Sequence, residues 1–332
     1  MLVPVPNWDS PFRWCGRELV RVARQPRLVY RLTMAILVTG VGGQLGEALA
    51  AAAPGAGLPV SLVGQPAFEF DRPETIARAF AEASPDLVIN TAAYTAVDAA
   101  EADAEAAFRA NRDGPATLAA LCRAAGIPLI HISTDYVFDG SKGAPYLETD
   151  PVAPLGVYGA SKLAGERAVL ESGARAIVIR TSWLYAHTGR NFVRTMLGAA
   201  RKTRSLRVVA DQKGCPTTAM DLAAAILTIA TRLKAEGWQN RFAGVVHAAG
   251  TGWTTWHGLA EAVFEEAARR GGPAPEVVPI HTQDWPTPTR RPADSRLDCT
   301  RLAEVFGVAL PPWRDGLRRT INTLAANGEL AA

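Results

Sequence analysis

Tyr158 and Lys162 stand four apart in Val157-Tyr-Gly-Ala-Ser-Lys-Leu-Ala-Gly-Glu166, a segment of helical character, so both side chains leave one face of a helix. A ketone that accepts a hydride develops negative charge on its oxygen. A phenol can protonate that oxygen if a nearby ammonium lowers its ordinary pKa of about 10 toward neutrality. The spacing alone fits equally a surface tyrosine and lysine on an amphipathic helix; the residues upstream favour chemistry. Leu129-Ile-His-Ile-Ser-Thr-Asp-Tyr-Val-Phe138 puts Ser133, Thr134 and Asp135 just past the end of a buried strand, where parallel α/β sheets place their ligands. Thr134 can donate a hydrogen bond to the carbonyl.

A second constellation lies nearer the N-terminus. Gly40-x-x-Gly43-x-x-Gly46 follows the apolar run Ala35-Ile-Leu-Val-Thr39 and precedes the Ala-rich segment Glu47 to Ala53. Glycines so placed let the backbone turn tightly, approach a pyrophosphate and pack helix on strand, while the helix start offers free NH groups. The two-residue first gap resembles the extended short-chain dehydrogenases. With a dinucleotide in the crevice, Lys162 would also hold the nicotinamide ribose. Val88-Ile-Asn-Thr-Ala-Ala-Tyr94 brings Ala92 and Ala93 to the rim, where a bulky side chain would block the cofactor; simple core alanines are the other account of them. Asp71 and Arg72 are neighbours of the adenine end. The next strand ends Leu62-Val63-Gly64-Gln65, with no carboxylate for the adenosine ribose and no arginine for a 2′-phosphate, so NADH and NADPH both stay open.

These residues need a sheet to position them. Short apolar runs recur at Pro59 to Val63, Asp86 to Asn90, Ile127 to Ser133 and Ala176 to Thr181, with helix-like stretches between. The alternation predicts an α/β fold: a Rossmann-type doubly wound parallel sheet over residues 34–182. Beyond it the pattern decays into segments rich in Pro, Trp and Arg. Residues 183–332 are expected to form mainly a smaller C-terminal substrate-binding lobe, interleaved with the last sheet elements. Pro73 with Glu74 suits a first helical turn, and Asp98 with Glu101 has the spacing of a capping box. The helix starting near Asp98 is expected to continue, after a break at Gly114-Pro115, to Ala125. Residues 1–33 carry six arginines, from Arg13 to Arg31, against Asp9 and Glu18; they are expected to be a poorly ordered extension or the product of a start assigned upstream of Met34.

Composition removes several classes. The 332 residues carry 35 basic and 32 acidic side chains, a net charge of +3 spread along the chain, which gives no footprint for nucleic acid or a membrane surface. No run approaches the about 18 apolar residues of a membrane span. Cys15, Cys122, Cys215 and Cys299 are far apart and without clustered histidines, which argues against a zinc site or a disulfide framework and for a cytoplasmic protein.

Read together, GVGGQLG, NTAAYTAVDAAE, ISTDYVFDG, YGASKLAGE, RTSWLY, NFVRTML, DQKGCPT and RPADSRLD resemble the dTDP-4-dehydrorhamnose reductases, in order from about Met34 to Arg318. The resemblance implies reduction by NADPH or NADH of the C4 keto group of a dTDP-sugar. Tyr158 would be the proton donor, Lys162 its partner and Thr134 the residue that orients the carbonyl. Asp135 and Trp183 would touch the sugar nucleotide, although Trp183 also reads as a core aromatic. Gly40, Gln44 and Leu45, with Ala92, Ala93 and Tyr94, would line the cofactor. Arg291 and Arg296 are where contacts to the sugar-nucleotide diphosphate are sought, because arginine forks match phosphate oxygens. Some relatives dimerise through carboxylates that hold Mg2+; Gly46 to Leu49 and Asp298 to Glu304 do not clearly reproduce that set, so no metal ligand is assigned and a homodimer stays open. Two rivals are a related nucleotide-sugar epimerase or dehydratase and a non-catalytic regulatory subunit of the same fold. Thr134-Asp135-Tyr136 lacks the Asp-Glu step of the dehydratases, and no reactive residue is missing as decay would require.

Overall fold

A computed structural model describes residues 12–15, 18–21, 34–70 and 72–330. Phe12–Cys15 (β1) and Glu18–Arg21 (β2) pair as an antiparallel hairpin. The rest of residues 1–33, on which the expectation of poor order falls, lies outside the described residues, as does Asp71.

The described residues from Met34 onward form a compact unit. Ile36–Thr39 (β3), Gln44–Ala52 (α1), Val60–Val63 (β4), Pro73–Ala83 (α2) and Leu87–Asn90 (β5) follow the alternation read from the sequence. Ala104–Phe108 (α3), Gly114–Ala125 (α4), Pro128–Thr134 (β6), Val157–Glu171 (α5) and Arg175–Thr181 (β7) complete it. Farther on lie Leu184–Tyr185 (β8), Phe192–Ala200 (α6), Ser205–Val209 (β9), Lys213–Gly214 (β10), Thr217–Thr218 (β11) and Ala219–Glu236 (α7). Gly244–His247 (β12), Thr254–Thr255 (β13), Trp256–Ala268 (α8), Glu276–Ile280 (β14), Thr300–Phe306 (α9) and Trp313–Ala326 (α10) end the unit.

The main sheet has six parallel strands in the order β12-β7-β6-β5-β3-β4. Successive residues of one strand face opposite sides: Ile36 and Val38 pack with α1 and α7, whereas Leu37 packs with α2 and α4. Covered on both faces, β3 and β5 are buried at every position, which is why they read as unbroken apolar runs. The chain leaves β3 for β4 on one side and returns to β5 on the other. The crevice beyond the strand ends at this reversal is where such sheets bind ligands. A further core joins α6, α8 and α10 through Val193, Leu259, Val263 and Leu317.

Two helix expectations need correction. Asp98 and Glu101 make no capping box. Asp98 precedes a 3₁₀ turn without a side-chain cap, and its carboxylate instead takes Arg291, while Glu101 accepts from the Val157 NH at 2.9 Å. The cap falls on Asp103, which accepts from the Ala106 NH. Gly114-Pro115 is no break either, because a π-helical turn over Arg109–Asp113 carries α3 into α4. That turn faces inward through Asn111. The Asn111 side chain accepts from the Tyr94 NH at 2.9 Å and donates to Ser161 Oγ at 2.9 Å, tying the end of the β5 segment to α5. A Cβ on Gly165 would lie 1.9 Å from the Asn111 carbonyl oxygen, so only glycine lets α5 pack this closely.

Candidate active site

A cavity of about 860 Å³ runs along the C-terminal ends of β3, β5 and β6. Its first end is the glycine loop. Gly40 donates its NH to the Val63 carbonyl at 2.9 Å and has φ +88°; a Cβ there would sit 2.7 Å from the Ala92 nitrogen. Two strand ends therefore close on a turn that only glycine makes. Gly43, Gln44 and Leu45 line the cavity at the start of α1, whose first NH groups have no intrahelical partner. Gly46 is buried behind the loop and does not line the cavity. Ala92, Ala93 and Tyr94 form the opposite rim.

The other end is built from buried side chains. Thr134 and Asp135 end β6, Tyr158 and Lys162 come from α5, and all four line the cavity while exposing less than a tenth of their surface. Lys162 Nζ donates to the Ile132 carbonyl at 2.6 Å. Removal from water pulls this ammonium down to about 8, opposed by the Glu166 carboxylate one turn along α5. Glu166 in turn accepts from Ser133 Oγ at 2.5 Å and from Arg180 through Nε at 2.9 Å and Nη2 at 2.7 Å. Asp135 accepts from Ser182 Oγ at 2.9 Å and Thr134 Oγ1 at 3.1 Å, and burial raises its carboxyl to about 6.

The expected lowering of the Tyr158 phenol does not occur here. Burial pushes it up to about 12, opposed by a hydrogen bond with Thr134 and aided by the Asp135 charge.

Trp183 lines the cavity as well. Its backbone is left-handed, at φ +47°, and its indole stacks on Trp256 with centroids 3.5 Å apart and planes at 5°. Trp256 also lines the cavity, as do Glu69, Phe70 and Arg190, none of which was anticipated. Trp256 comes from a different segment, so its pairing with Trp183 leaves no spacing signal. Glu166 did carry one, since it lies four residues past Lys162 on the same helix face.

Three arginines singled out in the sequence do not line the cavity. The exposed Arg72 pairs with Glu74 at 3.2 Å and Glu69 at 3.7 Å and does not line the cavity; Glu69 and Phe70 do so instead. Arg291 pairs with Asp98 at 2.8 Å and donates to Thr287 Oγ1 at 2.6 Å. Arg296 forks onto Asp294 at 2.8 and 2.6 Å and lies over the Trp253 ring at 4.9 Å. Arg291 and Arg296 brace loops through nearby carboxylates, and neither lines the cavity. Among the described residues no group of three or more His, Cys, Asp or Glu is arranged to hold a metal ion, and no helix is long and apolar enough to cross a membrane.

The cavity fits a nicotinamide dinucleotide: an elongated space with glycine and alanine walls, a helix start for phosphates, and no carboxylate in Val63-Gly64-Gln65 to oppose a 2′-phosphate.

The sequence pattern of the RmlD substrate binding domain family matches residues 34–326. The chain is 42% identical over 296 residues to the dTDP-4-dehydrorhamnose reductase of Sinorhizobium fredii, covering 89% of this chain and 99% of that protein. It is 46% identical over 288 residues to the protein of that name from Burkholderia thailandensis, covering 85% and 96%. The crystal structure of the Bacillus anthracis dTDP-4-dehydrorhamnose reductase in complex with NADP superposes with a TM-score of 0.80 at 30% identity, covering 88% of this chain and all of that one.

Proposed function

The chain belongs to the dTDP-4-dehydrorhamnose reductase family, and on that premise we propose that Tyr158, Lys162 and Thr134 carry the proton chemistry of its reaction. The protein reduces the C4 keto group of dTDP-4-dehydro-β-L-rhamnose to dTDP-L-rhamnose with NAD(P)H. The observation that carries the residue assignment is convergence: the buried Tyr158, Lys162, Thr134 and Asp135 share one cavity with the glycine loop.

Gly40, Gly43, Gln44, Leu45, Ala92, Ala93 and Tyr94 hold the dinucleotide. When bound, its nicotinamide supplies a hydride to C4. Tyr158 keeps its proton at neutral pH, being pushed up to about 12, and gives it from Oη to O4 as that oxygen becomes an alkoxide, a much stronger base. The Lys162 charge stabilises the phenolate left behind, in a setting where low dielectric strengthens the attraction. Thr134 orients the phenol. Glu166, pinned by Arg180 and Ser133, keeps Lys162 cationic against its burial.

Residues 183–330 form mainly the substrate side, interleaved with β12 and α7 of the sheet domain, with the Trp183–Trp256 stack offering a flat face to the sugar nucleotide. The reaction is assigned to the cytoplasm, in keeping with the free thiols of Cys122, Cys215 and Cys299.

The test is oxidation of NADPH and NADH, followed at the nicotinamide absorbance, when enzymatically generated dTDP-4-dehydrorhamnose is added. Stoichiometric formation of dTDP-L-rhamnose is expected. Absence of turnover by protein that demonstrably binds NADPH would overturn the assignment.

A further inference from the structure

Of the two cations lining the cavity, the mechanism uses only Lys162. The other, Arg190, is exposed and has no hydrogen bond or ion pair among the described residues. Arg72, Arg180, Arg291 and Arg296 are each committed to a carboxylate.

The loop carrying Arg190 is latched to α1. On one side of it, Thr188 Oγ1 donates to Glu47 Oε2 at 2.7 Å. On the other, Asn191 Nδ2 donates to Gln44 Oε1 at 2.8 Å while its Oδ1 caps α6 by accepting from the Arg194 NH. Between them Gly189, at φ +68°, sits against the Gln44 side chain, where a Cβ would come within 3.1 Å. Gln44 opens α1 and Glu47 lies in its first turn. Arg190 is thus held beside the helix start from a segment of the substrate side.

Charge completes the case. The glycine loop, Gly40 to Gly43, has no charged side chain, so its backbone NH groups and the helix dipole meet a doubly anionic diphosphate without a full positive charge. An unpaired guanidinium in the same cavity supplies one, and its fork suits two phosphate oxygens. We propose that Arg190 pairs with the diphosphate of the bound dinucleotide and closes it against the glycine loop from the substrate side. The alternative partner, the sugar-nucleotide diphosphate, is less well matched, because the latch runs to α1 rather than to Thr134 or Asp135. The inference rests on the dinucleotide reading of the cavity, and binding rather than turnover tests it.

Calorimetric titration of the full chain with NADPH, ADP-ribose and dTDP separates the alternatives. ADP-ribose keeps the cofactor diphosphate but lacks the nicotinamide and any 2′-phosphate; dTDP keeps the substrate diphosphate alone. Arg190→Ala is expected to weaken NADPH and ADP-ribose about tenfold each, the scale of one charge-assisted hydrogen bond, and to leave dTDP within about twofold. Arg190→Lys should recover part of the loss, and added salt should weaken NADPH binding more in the parent protein than in Arg190→Ala. Unchanged NADPH affinity, or a loss for dTDP as large as that for NADPH, overturns the assignment. Failure of the parent protein to bind NADPH would instead overturn the reading on which it rests.

Discussion

At the glycine-loop end of the cavity, Val41, Gly42 and Gly43 are exposed and no side chain from Gly40 to Gly43 is charged. At the tyrosine end, Asp135, Lys162, Glu166 and Arg180 are all buried with their charges, and Tyr158 with its proton. On the proposed function the first end recognises its ligand through backbone shape. Its weak point is therefore an added atom. At the second, burial shifts the protonation states that the proposed chemistry uses, with Asp135 raised to about 6 and Lys162 lowered to about 8, so its weak point is a lost group or a changed pH.

Tyr158→Phe should separate the ends most sharply. It removes the proton at the reacting end and leaves the glycine loop untouched, so kcat should fall by about two to four orders of magnitude. The NADPH dissociation constant, measured by titration, should stay within about twofold. Near-normal turnover would remove Tyr158 from the chemistry. Gly40→Ala tests the opposite end with a smaller effect. The added Cβ meets the Ala92 nitrogen at 2.7 Å in a backbone with φ +88°. Strain of about 1–3 kcal/mol corresponds to a loss of roughly tenfold to a hundredfold in NADPH affinity. At saturating NADPH, kcat should approach that of the parent protein. A large fall in kcat there would mean that the two ends are not separable.

The same contrast explains what the sequence could tell. The inner strands β3 and β5 were legible because burial on both faces forces unbroken apolar runs, and the glycine loop because close backbone contact leaves only glycine at positions 40 and 46. Tyr158 and Lys162 were legible because one helix presents both. β12 was not singled out, since Gly244–His247 is short and its place beside β7 is set by tertiary pairing. The Trp183–Trp256 stack was hidden for the same reason. Arg291 and Arg296 pair within the chain with Asp98 and Asp294, because carboxylate oxygens take the same fork as phosphate. Asp98 was misread as a cap because its long-range partner leaves no trace in spacing.

The proposed reacting end works through a protonated phenol and a buried ammonium. The most direct test is the pH dependence of a single turnover at saturating NADPH and dTDP-4-dehydrorhamnose. Lys162 is charged below its depressed pKa of about 8 and loses its charge as pH rises through that value, while Tyr158, at about 12, keeps its proton throughout. The rate of NADPH oxidation should be level near neutrality and fall about tenfold per pH unit above this break. A rate that stays level to about pH 10, the ordinary range of an exposed lysine, would contradict the claim.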